Sequence, residues 1–276
     1  SYDKANFSFG FVQFAGGDGG LSPMLGFLKY QFPKAFQNCF QKYGIDFCCK
    51  GNVPFNEACT LPWTLQDGVK VFRLVAEPVK REFAPGMVVD TWGYNGSCPG
   101  PTIECVEGDR VRLIVTNRLP ERTSVHWHGV LLPNGMDGVA GLNQPHILPG
   151  ETYAYEFTLR QHGTLMYHPH YDEMTQMALG MMGLFVIHPR KPSPSYKVER
   201  DFAMLLSEWS IPAGAARPNP NAMDGFNVLT INAKCFPGTD PLVVKKGDRV
   251  RMRFGNLSAM DHHSIHMHGH YFKVTA

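Results

Sequence analysis

Little net charge and no long apolar run are the first features of this sequence, and each removes a class of partner. Its 26 basic and 24 acidic residues leave +2 at pH 7, which gives no electrostatic footprint for nucleic acid or anionic lipid. No stretch approaches the roughly 18–20 apolar residues that a membrane span requires. The opening SYDKANFSFG lacks the basic-then-apolar order of a secretory leader, which fits numbering that begins after a removed one. Cysteines number seven, and none has a histidine beside it in the chain. Cys39, Cys48, Cys49 and Cys59 crowd into one early stretch. That clustering favours disulfides, and so a periplasmic or extracellular location, over a redox-active thiol. A four-thiolate zinc site is the alternative, but the adjacent Cys48-Cys49 pair does not fit its two-by-two spacing.

What is present is globular material, 43% hydrophobic and 18% charged over 276 residues, enough for two domains. Residues 1–68 read as a separate cysteine-containing extension, partly helical. Its LGFLKYQFPKAFQNCFQKYG stretch has the apolar spacing of a packed helix. After Val69 the texture changes to short alternating runs such as RVRLIVTN, ETYAYEFTL and GLFVIHP, divided by Gly, Pro and Asn. Such runs predict an all-β sandwich. Arg249 to Phe254 alternates strictly, which predicts one wet and one buried face.

An internal repeat sets the organisation. Glu107-Gly108-Asp109-Arg110-Val111-Arg112 leads to Asn117 and then His126-Trp127-His128-Gly129. Lys246-Gly247-Asp248-Arg249-Val250-Arg251 leads in the same way to Asn256 and then His266-Met267-His268-Gly269. Two copies of one β unit, each ending in a His-x-His-Gly strand, are expected at 69–190 and 191–276, with RKPSPSYKVER as linker. The second copy ends eight residues after His268, so a further segment is expected to complete it.

Side chains two apart in a strand share a face, so His-x-His sets two imidazoles side by side. The pairs His126/His128, His168/His170 and His266/His268 therefore point to metal, without choosing among copper, zinc, iron and nickel. His146, His162, His188, His262 and His270 fall outside these pairs and take surface, supporting or packing roles.

In this order, Val125-His126-Trp127-His128-Gly129, Met136-Asp137-Gly138, His168-Pro169-His170 and His263-x-x-His266-x-His268-Gly269 resemble the copper motifs of the multicopper oxidases. The resemblance covers about residues 70–276. It implies tandem cupredoxin-like Greek-key β-sandwiches, the second incomplete. It further implies type 1, type 2 and binuclear type 3 copper: His126 and His266 on type 2, His128, His168, His170 and His268 on the type 3 pair, and His263 on type 1. Asp137 would deliver protons to bound oxygen species, its other reading being a turn residue before Gly138.

The family's His-Cys-His segment does not occur in these residues. A C-terminal continuation or a companion chain is expected to bring it. Pro169, Met174 and Leu179 stand where a type 1 copper of the first unit would need its thiolate, histidine and axial ligand, so that unit is expected to hold none. Met166, Met174, Met177, Met181 and Met182 suggest packing rather than a copper(I) patch.

The leading expectation is a laccase-like oxidase that takes single electrons from a phenol-like or metal-ion reductant and reduces O2 to water, as a homotrimer with copper clusters at its interfaces. A non-catalytic copper-binding or copper-resistance module is the alternative. A nitrite-reducing protein is a weaker third.

Overall fold

A computed structural model describes residues 13–15 and 60–275 of the chain. The helical stretch and the four early cysteines lie outside the described residues. The architecture is nearly all-β, as expected.

The first sheet is built around one long strand, β3 (Val69–Ala84). Strand β2 (Trp63–Gln66) folds onto its start, and β4 (Met87–Tyr94) onto its second half, both antiparallel. Both central residues of the β2–β3 turn, Asp67 and Gly68, have positive φ (51° and 77°), the geometry whose twist matches a tight hairpin. Strand β6 (Arg110–Asn117) pairs parallel with Lys70–Ala76 of β3, and β8 (Thr152–Thr158) closes the far edge. Pro78 lies just beyond the β6 ladder, so its missing N–H leaves no donor absent from that side.

The second sheet runs β5 (Ile103–Val106), β10 (Gly183–His188), β9 (Gly163–His168), β7 (His126–His128). Between the two sheets lies the main core, with Phe72, Leu113 and Tyr155 on one side and Trp127, Tyr167 and Phe185 on the other. Trp127 is fully buried and meets Tyr155 edge-on at 5.1 Å and Phe185 at 6.1 Å. This arrangement is worth more than area alone.

A third sheet has β11 (Arg200–Trp209) between β12 (Val228–Ile231) and β14 (Val250–Asn256). It packs on the outer face of β10, where Met182 and Leu184 meet Ala203 and Leu205. Coverage on both faces explains why GLFVI in β10 and FAMLL in β11 are continuous apolar runs rather than alternating ones. Strand β13 (Val243–Lys245) pairs parallel with β1 (Gln13–Ala15).

The repeat holds down to single hydrogen bonds. Asp109 Oδ2 accepts from Val106 N and Asp248 Oδ2 from Lys245 N, both at 2.8 Å. Asn117 Oδ1 accepts from Leu119 N at 2.9 Å, and Asn256 Oδ1 from Ser258 N at 3.0 Å. A further correspondence was not evident from the sequence. Asn95 and Asn232, both at φ 53°, tie back to the paired strands β3 and β11 in the same way, and each is followed by a cis X-Pro bond.

Two expectations are corrected. On β14 the most buried side chain is Arg253, at 7% exposure, while Val250 is exposed. The face expected to be wet is therefore covered, because Asp201 on β11 answers the arginines with Arg253 Nη2 at 2.7 Å and Arg251 Nη1 at 2.9 Å. The second His-x-His lies in irregular chain, not in a strand. Among the described residues nothing pairs with it, and a strand persists only where a neighbour satisfies its amides.

Of the methionines, Met181 and Met182 are buried and Met166 packs beside Met182, as the packing reading expects; Met174 is exposed.

Candidate metal centre

The centre is built by one antiparallel pairing. In β7, alternation sends Trp127 into the core and leaves His126 and His128 on the opposite face. Strand β9 sets His168 directly across from His126. Past Pro169 the chain leaves the strand and returns His170, whose ring centre lies 5.3 Å from that of His126. Ring centres of His126, His128 and His168 stand 5.3–5.5 Å apart. One ligand nitrogen from each of these three falls within 4.8 Å of the others.

Backbone carbonyls fix two of the rings. His126 Nδ1 lies 2.7 Å from the Asp137 carbonyl oxygen, and His168 Nδ1 lies 2.8 Å from that of Pro169. A carbonyl only accepts, so both Nδ1 atoms carry the proton and both Nε2 atoms keep their lone pair. His128 Nδ1 faces His168 Nε2 at 3.1 Å. Two imidazole nitrogens bound about 2.0–2.1 Å from one ion stand about 2.9–3.4 Å apart, so this donor pair fits a shared metal.

Burial pulls the His168 pKa below the ordinary imidazole value, helped by His126 and His128 and opposed by the Pro169 carbonyl and Glu173. A ring held neutral is the form that binds metal. Two carboxylates flank the cluster. Asp137 Oδ1 is 3.5 Å from His126 Nδ1, and Glu173 reaches His168 Nδ1 at 3.5 Å and His170 Nε2 at 3.9 Å. Glu173 was missed in the sequence, although its place three residues after His170 was the available signal. Pro169 was read only for the thiolate it is not, and its carbonyl is what matters.

Asp137 closes a short 3-10 turn, Asn134–Met136, and so satisfies the turn reading while its carbonyl holds His126. Gly138 follows at φ 86°, and a Cβ there would lie 1.8 Å from the Val125 carbonyl oxygen. Only glycine lets this loop lie against β7. Gly138→Ala is therefore expected to destabilise the protein by about 3 kcal/mol and to weaken copper uptake, because the Asp137 carbonyl moves with the loop. Thermal unfolding with and without copper checks this, and a melting temperature within about 2 °C of the parent would refute it.

The structure brings His126, His128, His168 and His170 together and places the other candidates separately. His263 Nε2 lies 2.6 Å from Ser258 Oγ, and the residue lines an apolar cavity with Leu206, Leu229 and Ile231. His266 and His268 are exposed, with ring centres 4.7 Å apart. Among the described residues no ring contact joins them to the first four. Three residues before the first His-x-His, where the second unit has His263, stands Thr123. It is buried and donates to Gln176 Oε1 at 2.7 Å.

The described cysteines, Cys98, Cys105 and Cys235, are unpaired thiols. Among the described residues no helix is long and apolar enough to cross a membrane.

Comparison with known proteins points to one family for both repeat units. Multicopper oxidase models match residues 76–192 and 212–276, and a domain of unknown function (DUF542) matches 25–62. Copper resistance protein A of Escherichia coli is 44% identical over 116 residues, which is 42% of this chain and 19% of that protein. A blue copper oxidase structure from Nitrosomonas europaea is 33% identical with a TM-score of 0.60, over 68% of this chain and 61% of that one. A further solved multicopper oxidase is 30% identical with a TM-score of 0.59, over 72% and 67%. The chain thus spans about a fifth of its curated relative's length. With paired imidazoles on β7 and β9 in the order of the family motifs, and family models covering both repeat units, this chain belongs to the multicopper oxidase family.

Proposed function

We propose that this chain carries the histidine framework of a copper-dependent oxidase. It would couple one-electron oxidation of a phenol-like or metal-ion reductant to four-electron reduction of O2 to water. The observation that carries the reading is the 3.1 Å approach of His128 Nδ1 to His168 Nε2, beside an His126 ring fixed by a backbone carbonyl. Bound copper would supply reversible one-electron transfer and open positions for dioxygen.

In this reading His126 and His266 would hold the type 2 copper, and His128, His168, His170 and His268 would hold the type 3 pair. His263 is a ligand of the type 1 copper, whose thiolate comes from a His-Cys-His segment outside these 276 residues, on a continuation or a companion chain. The Asp137 and Pro169 carbonyls hold Nδ1 of the His126 and His168 rings, which leaves the lone pair on each Nε2 and would preorganise both rings for metal. Asp137, half-exposed and 3.5 Å from His126 Nδ1, stands between solvent and the cluster, where it would relay protons toward bound oxygen species.

We infer a homotrimer in which histidines of one copy meet those of the next, since closed cyclic symmetry suits such head-to-tail interfaces. The location is periplasmic or extracellular.

The test uses the full-length protein loaded with copper. Intense visible absorption from a Cys–Cu bond, and oxygen uptake with a phenol or a low-valent metal ion, are expected. Easily exchanged copper with no oxygen uptake would replace this reading by copper sequestration. A monomer in solution would remove the trimer.

A further inference from the structure

Trp127 stands between His126 and His128 on β7, and its ring begins a line of oxidisable side chains that leads away from the histidines. It is fully buried, and its indole N–H has no hydrogen-bond partner. Its ring meets that of Tyr155 on β8 edge-on at 5.1 Å, and the Tyr155 ring meets that of Tyr153 at 4.8 Å. Residues two apart on a strand share a face, which is why the two tyrosines touch. Tyr153 is half-buried against the main core and lines a surface cavity with His146, Glu151 and Thr152. Tyr155 is also tied to the histidine strand, because its hydroxyl oxygen accepts from Val125 N, one residue ahead of His126, at 3.1 Å.

Among aromatic side chains tryptophan and tyrosine lose single electrons most readily, and a tyrosine that does so must also shed its phenolic proton. The three residues differ in where a proton can go. Trp127 has no acceptor for its N–H, and Tyr155 is enclosed, so that burial pushes its phenol pKa up. Tyr153 opens on a cavity where solvent takes the proton. Two other directions are unfavourable. Tyr167 and Tyr94, with ring centres 5.3 Å apart, are both fully buried; the Tyr167 hydroxyl donates to the Pro101 carbonyl, and the Tyr94 hydroxyl has no partner. Tyr171 follows His170 in the chain, but the Arg122 guanidinium lies 5.3 Å from its ring centre, and a positive charge there opposes the loss of an electron.

We propose that Trp127, Tyr155 and Tyr153 form an electron route between the histidine centre and the cavity at Tyr153, where a small one-electron reductant refills it. The inference rests on the oxidase reading above. When reductant is scarce, O2 at the centre draws on this route. Trp127 gives one electron and keeps its proton, Tyr153 replaces that electron through Tyr155, and the Tyr153 O–H proton passes to water in the cavity. A phenol reaching the cavity returns one electron and one proton and restores the tyrosine, itself becoming a phenoxyl radical. The oxidising equivalent therefore rests at the surface rather than beside the imidazoles.

The experiment uses the full-length, copper-loaded protein, reduced with fewer electrons than O2 requires, mixed with O2 and frozen. The parent is expected to give the electron paramagnetic resonance signal of a neutral tyrosyl radical, and a phenol added before freezing is expected to remove it. Tyr153→Phe keeps the ring and its packing, and is expected to lose the signal with copper content unchanged. Tyr171→Phe is expected to keep it. An oxygen-consuming parent without the signal overturns the route, as does a signal that survives Tyr153→Phe or disappears with Tyr171→Phe. A parent that consumes no oxygen overturns the oxidase reading first, and this inference with it.

Discussion

His168→Ala is expected to abolish oxygen uptake by the copper-loaded protein and to lower its copper affinity more than about 100-fold, since even the partners that orient a ligand are worth 10–100-fold. His168 is the only buried member of the cluster, at 3% exposure, and its two nitrogens have separate tasks. Nδ1 is held by the Pro169 carbonyl, and Nε2 faces His128. Alanine removes the lone pair and also the surface against which the His126 and His128 rings are set. The fold should tolerate the change better than the site does, because the ring borders the main core without lying inside it; a cost of about 1–2 kcal/mol in the metal-free protein is expected. Copper loading should therefore raise the Tm of the parent and not of the variant, as binding to the native state alone requires. His162→Ala serves as the control, since that side chain is 56% exposed and meets only Glu107. If His168→Ala binds copper as tightly as the control does, the cluster is not the metal centre.

How much of this was legible depended on whether local periodicity or tertiary contact decides the outcome. His126-Trp127-His128 was legible because period two alone separates the buried indole from the two imidazoles. The Gly-Asp-Arg turns were legible because each Asp closes a bond to a residue three positions away, whatever surrounds it. Arg253 was not, because the partner that makes its burial tolerable, Asp201, lies 52 residues earlier on β11. Glu208 on β11 was equally silent, since nothing in LLSEW foretells that its carboxylate will meet the amides of Met260 and Asp261. The strand expected at His266–His268 failed for a related reason: alternation states which way side chains would point, while a ladder needs a neighbour. The early cysteines and the helical stretch lie outside the described residues.

Asp201→Ala is expected to be the most destabilising single change, by about 3–5 kcal/mol, lowering the Tm by about 10 °C. Asp201 Oδ1 accepts from Arg253 Nε at 2.8 Å, and Oδ2 accepts from Arg253 Nη2 at 2.7 Å and Arg251 Nη1 at 2.9 Å. Burial works against the charge on Arg253, and the hydrogen bond and charge of Asp201 more than reverse this, so its pKa is raised. Removing the carboxylate leaves two guanidinium groups enclosed without an anion, and that penalty exceeds the lost attraction itself. Replacing Asp201, Arg251 and Arg253 together by Leu, Met and Met should regain most of the loss, because a packed apolar triad has no charge to desolvate. Denaturant unfolding of the single and triple variants decides it, and a single-variant loss below about 1 kcal/mol would sink the argument. The network also bears on function. Arg253 Nη1 donates to Thr164 Oγ1 on β9 at 2.7 Å, and Nη2 to the Tyr196 hydroxyl at 3.1 Å, which in turn meets His188 Nδ1 at 2.9 Å. Strand β14 leads into His263, His266 and His268, and β9 ends on His168, so this one buried anion ties together the strands that carry both sets of histidines. Asp201→Ala is accordingly expected to weaken copper uptake as well as stability, and the triple variant to recover stability more fully than copper affinity, since the apolar replacement restores the packing but not the bond from Arg253 to Thr164.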